Sequence, residues 1–184
     1  MNKEKIISYE DAVKIGIREG IKYIKDQEYY KTKKKYDRRL RNTKLLLKHY
    51  RSLQKHTQIT KDSVSKIQEE NAIDVLDDIE SINDEEQYVQ AIERTKIRTK
   101  IIVNHVNKAI SYYEHICNKE GQIKERRFKI IKYMYIDNTK NDEIPTYEDV
   151  ATHFNINIKT VGRDVRSAIE DLSILFFGID GLKL

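Results

Sequence analysis

Thr146-Tyr147-Glu148-Asp149-Val150-Ala151-Thr152-His153-Phe154, then Asn155-Ile156-Asn157, then Ile158-Lys159-Thr160-Val161-Gly162-Arg163-Asp164-Val165-Arg166-Ser167-Ala168-Ile169, is the stretch on which the fold turns. Thr146 with Asp149 three residues on matches the T-x-x-[DE] start of a helix, in which the hydroxyl and the acidic side chain each satisfy a backbone N–H of the first turn. Val150, Ala151 and Phe154 give that helix, of about two turns, one inward face. Asn155 tolerates the left-handed backbone that a tight turn between helices needs when glycine is absent. Ile156 can plug the core and Asn157 can cap the next helix. In that helix Ile158, Val161, Val165, Ile169 and Leu172 fall on the buried side, with Lys159, Thr160, Arg163, Arg166 and Ser167 opposite.

A short helix, a three-residue turn and a second helix with outward Arg, Lys and Thr meet the requirements of a helix-turn-helix. Arg and Lys can donate to guanine N7 and O6 in a major groove, and Thr can touch a thymine methyl. A helical hairpin with a merely solvated polar face has the same spacing. Upstream, Ile123, Phe128, Ile131, Met134, Tyr135 and Ile136 predict a short apolar-faced helix, followed by a polar loop from Asp137 to Pro145, the only proline.

The rest of the chain also reads as helix. Its 184 residues are 35% charged, with six Gly, one Pro and no Trp, a composition that favours long helices over turn-rich sheets. Ser8-Tyr9-Glu10-Asp11 starts a first helix with Val13, Ile17, Ile21 and Ile24 on one face; Gly16 and Gly20 weaken it, so it calls for a partner. A second runs from Lys33 to about His56, with Leu40, Leu46, Leu47, Tyr50 and Leu53 as its core positions. Val64, Ile67, Ala72, Val75, Leu76 and Ile79 predict an acidic amphipathic helix ending near Ser81 to Asp84. Tyr88, Ile92, Thr95, Thr99, Ile102, Val106, Ala109, Tyr113 and Ile116 then alternate steps of four and three, a heptad seam that suits a coiled coil or packing against the acidic helix. Gly121 is the natural stop. The expectation is an all-α chain: an N-terminal helical unit over residues 1–120 with long amphipathic helices, then a small C-terminal helix-turn-helix domain over 122–184.

Charge is blocked along the chain. Residues 31–55 hold eleven Lys or Arg against Asp37 alone, 68–93 hold ten Asp or Glu and no Lys or Arg, and 94–132 are basic again. Net charge is +5, which tolerates a polyanionic partner without proving one. Lys33, Lys34, Lys35, Arg38, Arg39 and Arg41 are candidate phosphate contacts, interleaved with Tyr29, Tyr30, Tyr36 and Tyr50; the competing role for this stretch is to pair with the acidic block. No apolar run reaches the roughly 18 residues of a membrane span, and Lys3, Glu4 and Lys5 before Ile6-Ile7 lack the apolar run of a secretory signal. Together with Cys117 as the only cysteine, this predicts a cytoplasmic protein without disulfides.

Other chemistry finds no footing. Asp74, Asp77, Asp78, Asp84, Glu85 and Glu86 lie strung along a helix and its end, without the glycine of a calcium loop. His105, His115, His153 and Cys117 have no zinc-ligand spacing. Gly-rich phosphate loops, Gly-x-Ser-x-Gly and His-Glu-x-x-His are all absent, so neither an enzyme, a cofactor nor a metal is expected.

From about Arg126 to Leu182 the chain resembles the RinA/ArpU-type phage regulators. The Thr-Tyr-Glu-Asp-Val-Ala start, the Lys-Thr-Val-Gly-Arg-Asp-Val helix and above all the closing Leu-Ser-Ile-Leu-Phe-Phe-Gly-Ile-Asp-Gly-Leu carry the likeness. Leu45-Leu46-Leu47-Lys48-His49-Tyr50-Arg51 is similar more loosely. The resemblance implies a C-terminal half like region 4 of bacterial sigma factors, and activation of late phage genes such as packaging and lysis. By the same resemblance double-stranded DNA is the partner, RNA polymerase or its sigma factor a further one, and Lys159, Thr160, Arg163, Arg166 and Ser167 make the base contacts. Gly162, beside Arg163, removes a side chain that relatives can use there.

Two rival readings stand beside it. A self-sufficient small sigma factor would need an aromatic helix to capture a melted strand, yet there is no Trp and no Phe before Phe128. A DNA-binding packaging component, like a small terminase subunit, also pairs such a motif with an oligomerising helix but usually places the DNA-binding unit first. Self-association is expected from the heptad seam and from the apolar tail of Leu175, Phe176, Phe177, Ile179, Leu182 and Leu184.

Overall fold

The computed structural model describes residues 9–58, 72–94, 96–137 and 143–178, and the side-chain surroundings of 14–57, 72–94, 98–137 and 143–178 among them. Every regular element in it is a helix. They are α1 (Tyr9–Lys48), α2 (Tyr50–Gln58), α3 (Ala72–Ile79), α4 (Glu85–Glu93), α5 (Lys96–Lys119), α6 (Gln122–Ile131), α7 (Tyr147–Phe154) and α8 (Ile158–Phe177). One π-helical turn, Lys132–Ile136, prolongs α6 and closes with the Asp137 N–H donating to the Lys132 carbonyl at 2.8 Å. The all-α expectation holds. Ser8, Val64, Ile67, Thr95, Ile179, Leu182 and Leu184 lie outside the described residues.

The described residues fall into two units, one up to Lys35 and the other from Tyr36 on. In the first, the described part is a single helical stretch whose Ile17, Ile21 and Ile24 are 59%, 51% and 59% exposed. The side chain of Val13 lies outside the described set. No break separates the two helices expected between Tyr9 and Lys48, because the polar residues between Tyr29 and Lys35 include neither Gly nor Pro to stop α1.

The second unit is built around α5, which packs against α2, α3, α4, α6 and α8. Most of the heptad seam is therefore core: Tyr88, Ile92, Thr99, Ile102, Val106, Ala109 and Tyr113 are all buried within this chain. The helix breaks between α4 and α5, and the buried Thr99 hydroxyl donates to the Ile92 carbonyl across the break at 3.0 Å. Leu46, Leu47, Tyr50, Leu53, Val75, Leu76 and Ile79 join the same core.

Gly121, with φ +96°, does end a helix, but it marks no division. Helices on both sides of it share one core, so the expected separate domain over 122–184 is part of a unit that begins at residue 36. Arg51 of α2, 7% exposed, helps close it by donating to the carbonyls of Met134, Asp137 and Glu143 at 3.2–3.3 Å. Phe176 and Phe177, expected in an apolar tail open to a partner, are buried in this core. Ile123 and Ile158 depart from the expected inward faces, at 62% and 39% exposed.

Candidate nucleic-acid interface

The α7–turn–α8 hairpin is built by local stereochemistry. The Thr146 hydroxyl accepts from the Asp149 N–H at 3.2 Å, while Asp149 Oδ2 accepts from the Thr146 N–H at 2.9 Å, a complete capping box with Asp in place of the usual Glu. Hydrogen bonds from the Thr146 hydroxyl and then from its backbone hold the Asp149 carboxyl below its ordinary pKa. Asn155 takes the left-handed conformation, φ 50° and ψ 50°, and is the one non-glycine residue with positive φ among those described. Asn157 caps α8 by accepting from the Lys159 N–H at 2.8 Å.

The back of α8 is fastened by its acidic residues. Asp164, 1% exposed, accepts from Arg126 Nε at 2.9 Å and pairs with Nη2 at 2.8 Å. One heptad on, Asp171 accepts from the Tyr113 hydroxyl at 3.1 Å and faces Arg127 and Lys124 at 3.3 and 3.5 Å. Both carboxylates thus point toward α6 and α5, which turns the helix's cations the other way.

Those cations lie on a stripe of steps four and three: Lys159, Arg163, Arg166, Glu170, Ser173, Phe177. The stripe changes character along its length. Lys159, Arg163 and Arg166 are exposed, Glu170 is half-buried, and Ser173 and Phe177 are covered. The cover is α1: Arg39 donates to the Phe177 carbonyl at 2.8 Å with its guanidinium 5.2 Å from the centre of the Phe177 ring. Tyr36, a turn before Leu40, lies near enough to Glu170 for that charge, after burial, to raise its pKa.

Where α1 leaves α8, an open cleft of about 550 Å³ remains, lined by Leu40 and Lys44 of α1, Tyr147 of α7, and Lys159, Gly162, Arg163, Arg166, Ser167 and Glu170 of α8 among others. Four of the five reading candidates therefore share one surface, and Thr160, half-buried, neighbours it in sequence without lining the cleft. Two further residues complete the surface that composition had not singled out, Lys44 and Tyr147. Lys44 was legible only as one of eleven cations in its stretch, and Tyr147 only as part of a cap. Tyr147 lies beside Gly162: a Cβ there would stand 3.6 Å from its ring, in ordinary contact with it.

The six phosphate candidates divide. Lys33 and Lys34 are exposed and Lys35 is half-exposed. Arg39 is a correction: at 0% exposure it is bound to Phe177, to Asp77 Oδ1 at 3.0 Å and to Glu80 at 3.5 Å, out of reach of any phosphate. Arg41 donates to the side chains of Asn42 and Asn83 and to the carbonyl of Ile82, and Arg38 lies 3.8 Å from Glu80. The basic and acidic blocks do meet, through these arginines.

Among the described residues no helix is long and apolar enough to cross a membrane, and no group of three or more His, Cys, Asp or Glu could hold a metal ion. Comparison with known proteins gives no matching family model, no matching curated protein and no matching solved structure.

Proposed function

We propose that the chain is a sequence-specific DNA-binding regulator, an activator of phage or prophage genes, that reads promoter DNA with the N-terminal half of α8. The observation that carries this reading is the exposed Lys159–Arg163–Arg166 stripe on a helix whose back is fastened by Asp164 and Asp171. Residues 159–167 span roughly 13 Å of helix, a good match to a major groove about 12 Å wide. In helix-turn-helix proteins it is the N-terminal residues of the second helix that contact base edges. Arg163 and Arg166 are the bidentate donors in this reading, Lys159, Thr160 and Ser167 the shorter contacts, and Glu170 marks where the polyanion must end. Lys44 takes a backbone phosphate beside them. The phage assignment and a docking site on RNA polymerase rest on the resemblance of residues 126–182 alone.

Selection of bound duplexes from a random library tests the reading. One motif should emerge, and Arg163→Ala or Arg166→Ala should weaken it by about 1–3 kcal/mol while hardly changing affinity for random duplex. Equal losses on both would remove base readout by α8. Run-off transcription tests the activator part: stimulation should require polymerase that already carries a host sigma factor, and initiation by core enzyme plus this protein alone would point to a self-sufficient sigma factor.

A further inference from the structure

Residues 14–28 of α1 carry a second pattern that the DNA reading does not use. Lys14, Ile17, Ile21, Ile24 and Glu28 follow steps of three and four, so they share one face of the helix. All five are exposed, and Lys14, Ile17 and Ile21, with Arg18, line a shallow groove. Beside the stripe, Gly16 and Gly20 have open space where a Cβ would stand, so a second backbone can come close. Three isoleucines more than half exposed on one short stripe form an apolar patch of the kind that marks an interface rather than a solvated face.

The charges say what covers it. Lys14 lies seven residues before Ile21 and Glu28 seven residues after, each roughly 10 Å from it along the axis. A second copy laid antiparallel about a two-fold axis at Ile21 brings Lys14 of each chain opposite Glu28 of the other. It also sets Ile21 against Ile21 and Ile17 close to Ile24. A parallel pair would oppose Lys14 to Lys14 and Glu28 to Glu28.

We infer that this face of α1 is an antiparallel homodimer interface, centred on Ile21 and fixed in register by reciprocal Lys14–Glu28 pairs. Two-fold closure follows, because each patch is its own complement. The inference is independent of the DNA reading, and its test involves no DNA.

The test is sedimentation equilibrium of the full chain across about 1 to 100 μM, with a charge-swap cycle. The wild type should be a monomer–dimer system in that range. Lys14→Glu alone, or Glu28→Lys alone, should raise the dimer dissociation constant roughly tenfold, since each turns two exposed pairs from attractive to repulsive. The double variant Lys14→Glu with Glu28→Lys should return it to within about threefold of wild type, a rescue that a parallel dimer cannot give. Because all three variants change only exposed residues, circular dichroism should show equal helix content. A monomeric wild type at 100 μM overturns the inference, and so does a double variant no tighter than the singles.

Discussion

Arg39 on α1 and Arg163 on α8 both sit in helices where several basic residues follow one another, yet they have opposite fates. Arg39 meets a helix C-terminus, a phenyl ring and two carboxylates, and it is wholly enclosed. Arg163 sits on an exposed stripe that α1 leaves uncovered. The difference lies in what the topology places opposite each residue. The acidic α3 and the end of α8 fall against α1, while Asp164 and Asp171 of α8 are taken by Arg126, Arg127 and Lys124 of α6, so Lys159, Arg163 and Arg166 are left to line one cleft with Glu170.

The sharpest way to break this contrast is to remove the enclosed member. Arg39→Ala leaves Glu80, itself 7% exposed, without its closest cation and uncovers the last turn of α8. Breaking a buried pair from one side costs about 3–5 kcal/mol, so urea midpoints should fall steeply. A loss under about 1 kcal/mol would show that the ion pair adds little to the packing around it. Arg163→Ala, the exposed member, should leave the unfolding free energy from urea titration within about 0.5 kcal/mol of wild type while carrying the binding loss described above. A variant that both unfolds and stops binding would erase the distinction between the two arginines.

Lys44 sharpens the same contrast within one helix, because it lies five residues from Arg39 and is exposed. If it neutralises a phosphate, Lys44→Ala should weaken selected and random duplexes alike and lower the salt slope of binding by about 0.9. An unchanged slope would confine the interface to α7 and α8.

What the sequence made legible was local. The Thr146–Asp149 box, the left-handed Asn155 and the Asn157 cap each need only residues within three positions, and each is found as expected. The apolar spacing of α5 was equally plain, but periodicity shows that a face is covered and not by what, so of the two coverings it allows, a coiled coil or the acidic helix of the same chain, only the fold shows α3 and its neighbours packed there. Arg39 and Lys44 lie beyond such reasoning. They are alike in local sequence, and only the crossing of α1 over Phe177, 138 residues away, assigns one to the interior and the other to the cleft. Gly121 teaches the same lesson, since a glycine that ends a helix says nothing about whether its neighbours share a core.

The smallest effect tests how finely stability and reading are separated at the cleft itself. Gly162 lies inside α8 with ordinary helical φ, so its glycine is not required by the backbone. A Cβ there would meet Tyr147 Cε2 at 3.6 Å and Cδ2 at 3.9 Å, which is ordinary contact rather than a clash. Gly162→Ala should therefore recover about 0.5–1 kcal/mol of helix stability, a rise of roughly 1–4 °C in melting temperature. The new methyl would rest against the tyrosine ring and not stand out on the Lys159–Arg163–Arg166 stripe, so affinity for the selected duplex should stay within about twofold. A higher melting temperature with binding lost would mean that DNA approaches the backbone at Gly162, making the glycine part of the reading surface. A lower melting temperature would mean that the Tyr147 ring cannot yield, and that its packing on α8 is what holds α7 in place beside the cleft.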